Sequence, residues 1–299
     1  MKTTANAGLA LGIFLVCLTL AGECQSLQAQ SELHFRLVHN NLIVVSLKSG
    51  QEGPFDFILD TGADTTIVDP AIAPKLGFVR ADRIQQSTLS GVQTVERGII
   101  ASLSAGSEQV DHVVVLVQDL SGLRKIDSHI VGIAGQNFLA HFNYLLDYRK
   151  HLARIEADNE IQDAIDGDHV PVDARENRML VASEAQSRNH ASLKLMLDSG
   201  AESVVLLHAA SQALQVPREQ SAMELTSAGQ TALQMGRIHT LSVGQELLRD
   251  VVTTLPENDP GARIGDGLLP TSLFEAIYIN NRDGFVVFNP HIKKHAHLE

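Results

Sequence analysis

Two acids stand at matched places in this chain. Phe57-Ile58-Leu59-Asp60-Thr61-Gly62-Ala63-Asp64 aligns with Leu195-Met196-Leu197-Asp198-Ser199-Gly200-Ala201-Glu202, at a separation of 138 residues. Three apolar residues running into an aspartate describe a buried strand that ends at a carboxylate. Burying a carboxylate is unfavourable unless its charge is paired, shared or put to use. Thr61 and Ser199 follow with hydroxyls that can bond backbone across an interface. Gly62 and Gly200 come next, and a residue without a Cβ tolerates the left-handed dihedrals of a tight turn. One Asp-Thr-Gly is ordinary at a strand-to-turn transition. Two copies in register point to a pair of acids presented together.

The elements around the two acids repeat as well, as a search for internal self-similarity shows. Thr65 to Val68 faces Ser203 to Leu206, and Leu76-Gly77-Phe78 faces Leu214-Gln215-Val216. Upstream, the apolar runs Leu42–Leu47 and Met179–Ala182 predict hairpins leading into each motif strand. Downstream, Gly-containing turns at Leu89-Ser90-Gly91 and Thr226-Ser227-Ala228-Gly229 precede further β-prone runs. Each half closes on a glycine among apolar residues, Ile130 to Leu139 and Ile264 to Leu269, followed by a last hairpin. Asp283-Gly284 is a strong turn signal in the second of these. Asp69-Pro70 predicts a short helix to about Leu76, with Leu207–Leu214 as its counterpart. Many short strands and frequent glycine turns read as an all-β chain.

The motif Phe57-Ile-Leu-Asp60-Thr61-Gly62-Ala63-Asp64-Thr65-Thr66, with Ile133-Ala-Gly135-Gln-Asn-Phe-Leu139 after it, resembles the active-site signature of retropepsin-like aspartic peptidases. Leu195–Leu206 and Ile264–Leu269 resemble the same pair more loosely. The resemblance spans roughly residues 35–290. It implies a bilobed acid-protease fold, two retropepsin-like β-barrel lobes related by a pseudo-twofold axis within one chain. It also implies Asp60 and Asp198 as the catalytic acids. Two carboxylates about 3 Å apart cannot both ionise and therefore share a proton. The ionised member takes a proton from the attacking water, and the protonated member hydrogen-bonds the scissile carbonyl. Thr61, Gly62, Ser199 and Gly200 would support the pair. Ser90, Gly91, Ala228 and Gly229 are candidate tips of substrate-covering flaps. Both motifs carry Ala after the Gly, Ala63 and Ala201, where pepsin-like lobes usually carry a hydroxyl. Without that donor the carboxyls should be less acidic, and activity should extend toward weakly acidic or neutral pH.

The other candidate sites are weaker. Asp64 and Glu202 are expected to be structural acids beside the turns. His291, His295 and His297 lie without a companion acid or cysteine cluster and are expected to be a tail, so no metal site is predicted. No phosphate loop, Ser-His-Asp elbow or His-Glu-x-x-His motif occurs, and no cofactor is expected.

Composition bounds the rest. The formal charge is −12 with no basic stripe, which argues against nucleic acid or an anionic membrane surface as partner. Residues 1–29 have the layout of a secretory signal peptide, with Lys2 ahead of an apolar run from Ala7 to Leu20. The two cysteines, Cys17 and Cys24, lie in or beside that run, so a disulfide framework is not expected. The reading is therefore a signal peptide at 1–29, a first lobe at 30–157, an acidic linker at 158–168 and a second lobe at 169–299. It describes an exported, periplasmic or extracellular, monomeric endopeptidase that acts on polypeptide and is not held in a membrane. The alternative is a catalytically inactive bilobed module of the same fold that binds peptide or protein.

Overall fold

The computed structural model describes residues 31–88, 91–156, 160–226, 229–257 and 265–293. The expected signal peptide, Ser90, Ala228, Ile264, His295 and His297 lie outside them.

The first half closes into a six-stranded barrel. Around it run Leu42–Ser49, Glu52–Leu59, Ile130–Ala134, Thr66–Val68, Glu108–Val117 and Gly91–Ala105, and the ring is joined by Lys48 opposite Ser104. The second half repeats this ring with Arg178–Gln186, His190–Asp198, Gly267–Pro270, Val204–Leu206, Glu246–Pro256 and Gly229–Val243. It is joined where Glu184, Ala185 and Gln186 face Ser242, Leu241 and Thr240. These strands are rich in Val, Ile, Leu and Thr, whose branched side chains suit a pleated surface buried on its inner face. Closure leaves few unpaired edges.

Each motif strand lies inside its barrel beside a parallel partner. Leu59 sits opposite Ala134, and Leu197 opposite Leu269. The apolar residues leading to the acids, Phe57, Ile58 and Leu59, and Leu195, Met196 and Leu197, are all buried. Strands flanked on both sides in this way are hydrophobic on both faces.

The halves are joined by six strands that run on into the sheet of the second ring. Ser31–His34, Leu152–Glu156 and Asn143–Asp147 from the first half continue into Ala276–Asn280, Phe285–Phe288 and Val170–Arg175 from the second. The seam is antiparallel, with Tyr144 opposite Ile279 and Leu146 opposite Ile277. The main apolar core runs through this seam, so Tyr144, Leu146 and Ile155 pack in one cluster with Ile277, Ile279 and Val286. Of the acidic stretch, residues 160–165 pack against the sheet. Glu160–Ala164 is a helix, and its Ile161, with Ile165 beyond it, packs on Leu145, Tyr278, Phe285 and Val287.

Two long hairpins project from the barrels. Val79–Thr88 pairs with Gly91–Ala105 out to Thr88 opposite Gly91, and Arg218–Thr226 pairs with Gly229–Val243 out to Thr226 opposite Gly229. Gly91 and Gly229 thus begin the return strands. The hairpin expected at Asp283-Gly284 is present, with Asn280 opposite Phe285 and Gly284 at φ 70°.

One expected element differs. Residues 70–76 form successive turns rather than a helix, whereas the counterpart His208–Ala213 is helical. Pro74 explains the difference, because it has no N–H to return to Pro70 and its ring crowds that carbonyl. Asp69 still caps the segment, its Oδ1 accepting from the Ala71 N–H at 3.0 Å.

Candidate active site

Both acids sit where a buried strand ends, at the junction of the barrels. Asp60 donates its N–H to the Ala134 carbonyl at 3.0 Å, which holds the end of its strand in the parallel ladder. Its Oδ1 accepts from the N–H groups of Gly62 at 2.9 Å and Ala63 at 3.2 Å. Asp198 is buried, and its Oδ1 accepts from Gly200 N–H at 2.7 Å, with Ala201 N–H donating as well. The two carboxyls meet side chain to side chain across the junction.

Burial raises the pKa of Asp60 above the usual carboxylate range, against the donors that favour its charged form. Burial raises Asp198 well above that range, and the negative charge of Asp60 adds to the effect. Two carboxyls in contact, both pushed up by loss of water, retain one proton between them.

The hydroxyls brace the turns reciprocally. Thr61 N–H donates to Ser199 Oγ at 3.0 Å and Ser199 N–H donates to Thr61 Oγ1 at 3.0 Å. Thr61 Oγ1 then donates to the Leu197 carbonyl at 3.0 Å, and Ser199 Oγ to the Leu59 carbonyl at 2.7 Å. Each hydroxyl accepts once and donates once, so four polar groups of the buried turns are satisfied by the opposite half.

The glycines are needed for a different reason than the one expected. Neither Gly62 nor Gly200 has a positive φ. A Cβ on Gly62 would lie 2.4 to 2.6 Å from the carboxyl atoms of Asp198, and one on Gly200 would lie 2.9 to 3.0 Å from those of Asp60. Each glycine makes room for the acid of the other half.

Behind Asp60, Gly135-Gln136-Asn137 seats the loop. Gln136 N–H donates to the Ala63 carbonyl at 2.7 Å, and Asn137 Oδ1 accepts from both the N–H and the hydroxyl of Thr66, at 2.7 and 2.8 Å. Behind Asp198, Pro270 and Thr271 take this place, and Thr271 Oγ1 lies 2.5 Å from the Tyr148 hydroxyl contributed by the first half.

Asp64 and Glu202 face outward to the opposite half. Arg178 donates to Asp64 at 2.6 Å, and Asn177 Nδ2 to the Asp64 carbonyl at 3.3 Å. His39 lies 3.6 Å from Glu202. Arg178, Asn177 and His39 were not singled out from sequence, because nothing local marks them. Their signal is their matching place in the two halves, at the turn before the strand that pairs with each motif strand. No group of His, Cys, Asp and Glu suited to a metal ion occurs among the described residues.

Residues 45–138 match the family model described as "Aspartyl protease". That stretch holds Asp60 and the seat behind it and ends before Asp198. Among solved structures, the chain is similar to a retropepsin-like aspartic protease from Rickettsia conorii. The identity is 15% over 43% of this chain and 95% of that one, with a TM-score of 0.32. No curated protein matches the chain.

Proposed function

We propose that this chain, whose first half matches an aspartyl protease family, is an exported aspartic endopeptidase that hydrolyses peptide bonds with water activated between Asp60 and Asp198. The observation that carries the reading is the meeting of two carboxyls supplied by the two halves, Asp198 buried and Asp60 half-buried. A pair holding one proton contains a base and an acid in the same place. The charged member accepts a proton from water as the water oxygen bonds to the carbonyl carbon. The protonated member donates to the carbonyl oxygen as that oxygen gains charge. Transfer of a proton to the nitrogen then releases the amine and leaves the new carboxylic acid. Each acid is held by two N–H donors, so burial decides between them: the deeper burial of Asp198 favours residence of the proton there and leaves the charge on Asp60.

The substrate is an extended polypeptide laid between the barrels and covered by the hairpins that end near Thr88 and Thr226. The protein works as a monomer, since both acids come from one chain, and needs no cofactor. Export rests on the leader at 1–29. No helix among the described residues is long and apolar enough to cross a membrane.

The test is hydrolysis of an unfolded polypeptide by purified residues 31–299, with pepstatin as inhibitor and sedimentation to give the mass. Inhibitable cleavage by a monomer is the expected result. Binding of peptide without cleavage would replace this reading with that of a binding module.

A further inference from the structure

Beside the catalytic loop lies an open groove of about 390 Å³, lined by Thr65, Asp111, Val114, Asn137, His141 and Asn177 among others. It begins at the loop itself, since Thr65 follows Asp64 directly. It is bounded by the other half, since Asn177 donates to the Asp64 carbonyl. Resting on the peptidase reading above, we propose that this groove is a specificity site for a basic side chain, Lys or Arg, of the substrate at a position away from the bond that is cut.

Two polar side chains of the groove, Asp111 and His141, offer acceptors. Asp111 is exposed, its Oδ1 accepts from Gln109 at 2.8 Å, and its carboxylate makes no ion pair among the described residues. The neighbouring acids Asp64 and Glu176 share the one guanidinium of Arg178, at 2.6 and 2.7 Å. Asp111 is the lining carboxylate that pairs with no cation among the described residues. His141 Nδ1 donates to the Phe138 carbonyl at 3.2 Å, which in that tautomer makes Nε2 an acceptor. Asn137 is held in place, with its Nδ2 donating to the Val114 carbonyl at 2.7 Å and its Oδ1 accepting from Thr66, and it shapes the wall.

The apolar part completes the match. Val114 exposes 41% of its surface along the groove. A long basic side chain lays its methylenes on such a surface and reaches a charge at the end. An acidic side chain would meet a like charge. The formal charge of −12 draws basic polypeptide toward the whole molecule.

The test separates this site from the chemistry by using the Asp60→Asn protein, which should bind without cutting. A short apolar peptide extended at either end with Arg, Gln or Glu is titrated by fluorescence anisotropy. The expected result is that Arg at one end binds roughly fivefold more tightly than Glu, the scale of one exposed ion pair. Asp111→Asn should bring the ratio to about one, and Asp111→Lys should invert it, with the melting temperature reporting that each variant is folded. No preference for Arg, or a preference that survives in both variants, overturns the proposal. If the preference holds while the wild-type protein cleaves nothing, the peptidase reading fails and the groove stands.

Discussion

Replacing Gly62 by Ala puts a methyl group where the carboxyl of Asp198 already is. The added Cβ would stand 2.4 Å from Cγ and 2.5 and 2.6 Å from the two oxygens, whereas ordinary contact begins near 3.4 Å. The turn or the opposing carboxyl must therefore yield by about 1 Å. The Thr61–Ser199 bonds anchor the turn on one side, and Gly200 N–H holds Asp198 on the other. The displacement thus falls on the contact between the two acids. A misplacement of about 1 Å in a reacting constellation lowers the rate on the order of a hundredfold, which corresponds to about 2.7 kcal/mol of transition-state stabilisation. At Gly200 the shortfall against the same 3.4 Å is only about 0.5 Å, from contacts of 2.9 to 3.0 Å. Gly200→Ala should then be the milder change, with a loss nearer tenfold. The assay is kcat/KM on an unfolded polypeptide, with circular dichroism to show that both variants keep their strands. Gly62→Ala within threefold of wild type, or Gly200→Ala the more damaging of the two, would refute the claim that each glycine exists to admit the opposite acid.

Other outcomes follow from the electrostatics. The folded pair binds a proton that the unfolded chain has released above about pH 4, so its raised pKa values make stability fall as pH rises through that window. Asp198→Asn should accordingly melt higher than wild type at pH 7 and lose that advantage near pH 3, as followed by thermal denaturation. Ala63→Ser, which adds a hydroxyl donor beside Asp60, should shift the optimum of the pH–rate profile toward acid; an unchanged profile would show that the alanine does not tune the pair. Arg178→Ala removes the guanidinium, 12% exposed, that ties Asp64 to the other half, and should destabilise by about 1–2 kcal/mol. His39→Ala, at an exposed pair 3.6 Å apart, should change stability by less than about 0.5 kcal/mol. Urea titration of the two variants checks the contrast.

What could be read from the chain and what could not divide along physical lines. The duplicated motif was legible because a strand buried between parallel neighbours and ending at an acid leaves a local signature, Phe57 to Gly62 and Leu195 to Gly200. The all-β class followed from the same local patterns. The reason for the glycines was not legible, since the atoms that exclude a Cβ belong to the other half, 136 residues away for Gly62 and Asp198. The Arg178–Asp64 bond spans 114 residues, and nothing at either position announces it. The turns at 70–76 were missed for a local reason, as Pro74 prevents the helix that Asp69-Pro70 begins. The joining strands were not legible either, because Tyr144 and Ile279 carry no mark of being partners.

The central claim is that Asp60 and Asp198 act as one catalytic unit. Its most direct test is the cleavage of unfolded polypeptide by wild type, Asp60→Asn and Asp198→Asn proteins, each shown to be folded. The account predicts that wild type cleaves and that either single change lowers kcat by about a thousandfold or more, since a pair that shares one proton fails when either member is lost. Cleavage that persists in the Asp198→Asn protein would contradict it, and would leave Asp60 acting without the second half.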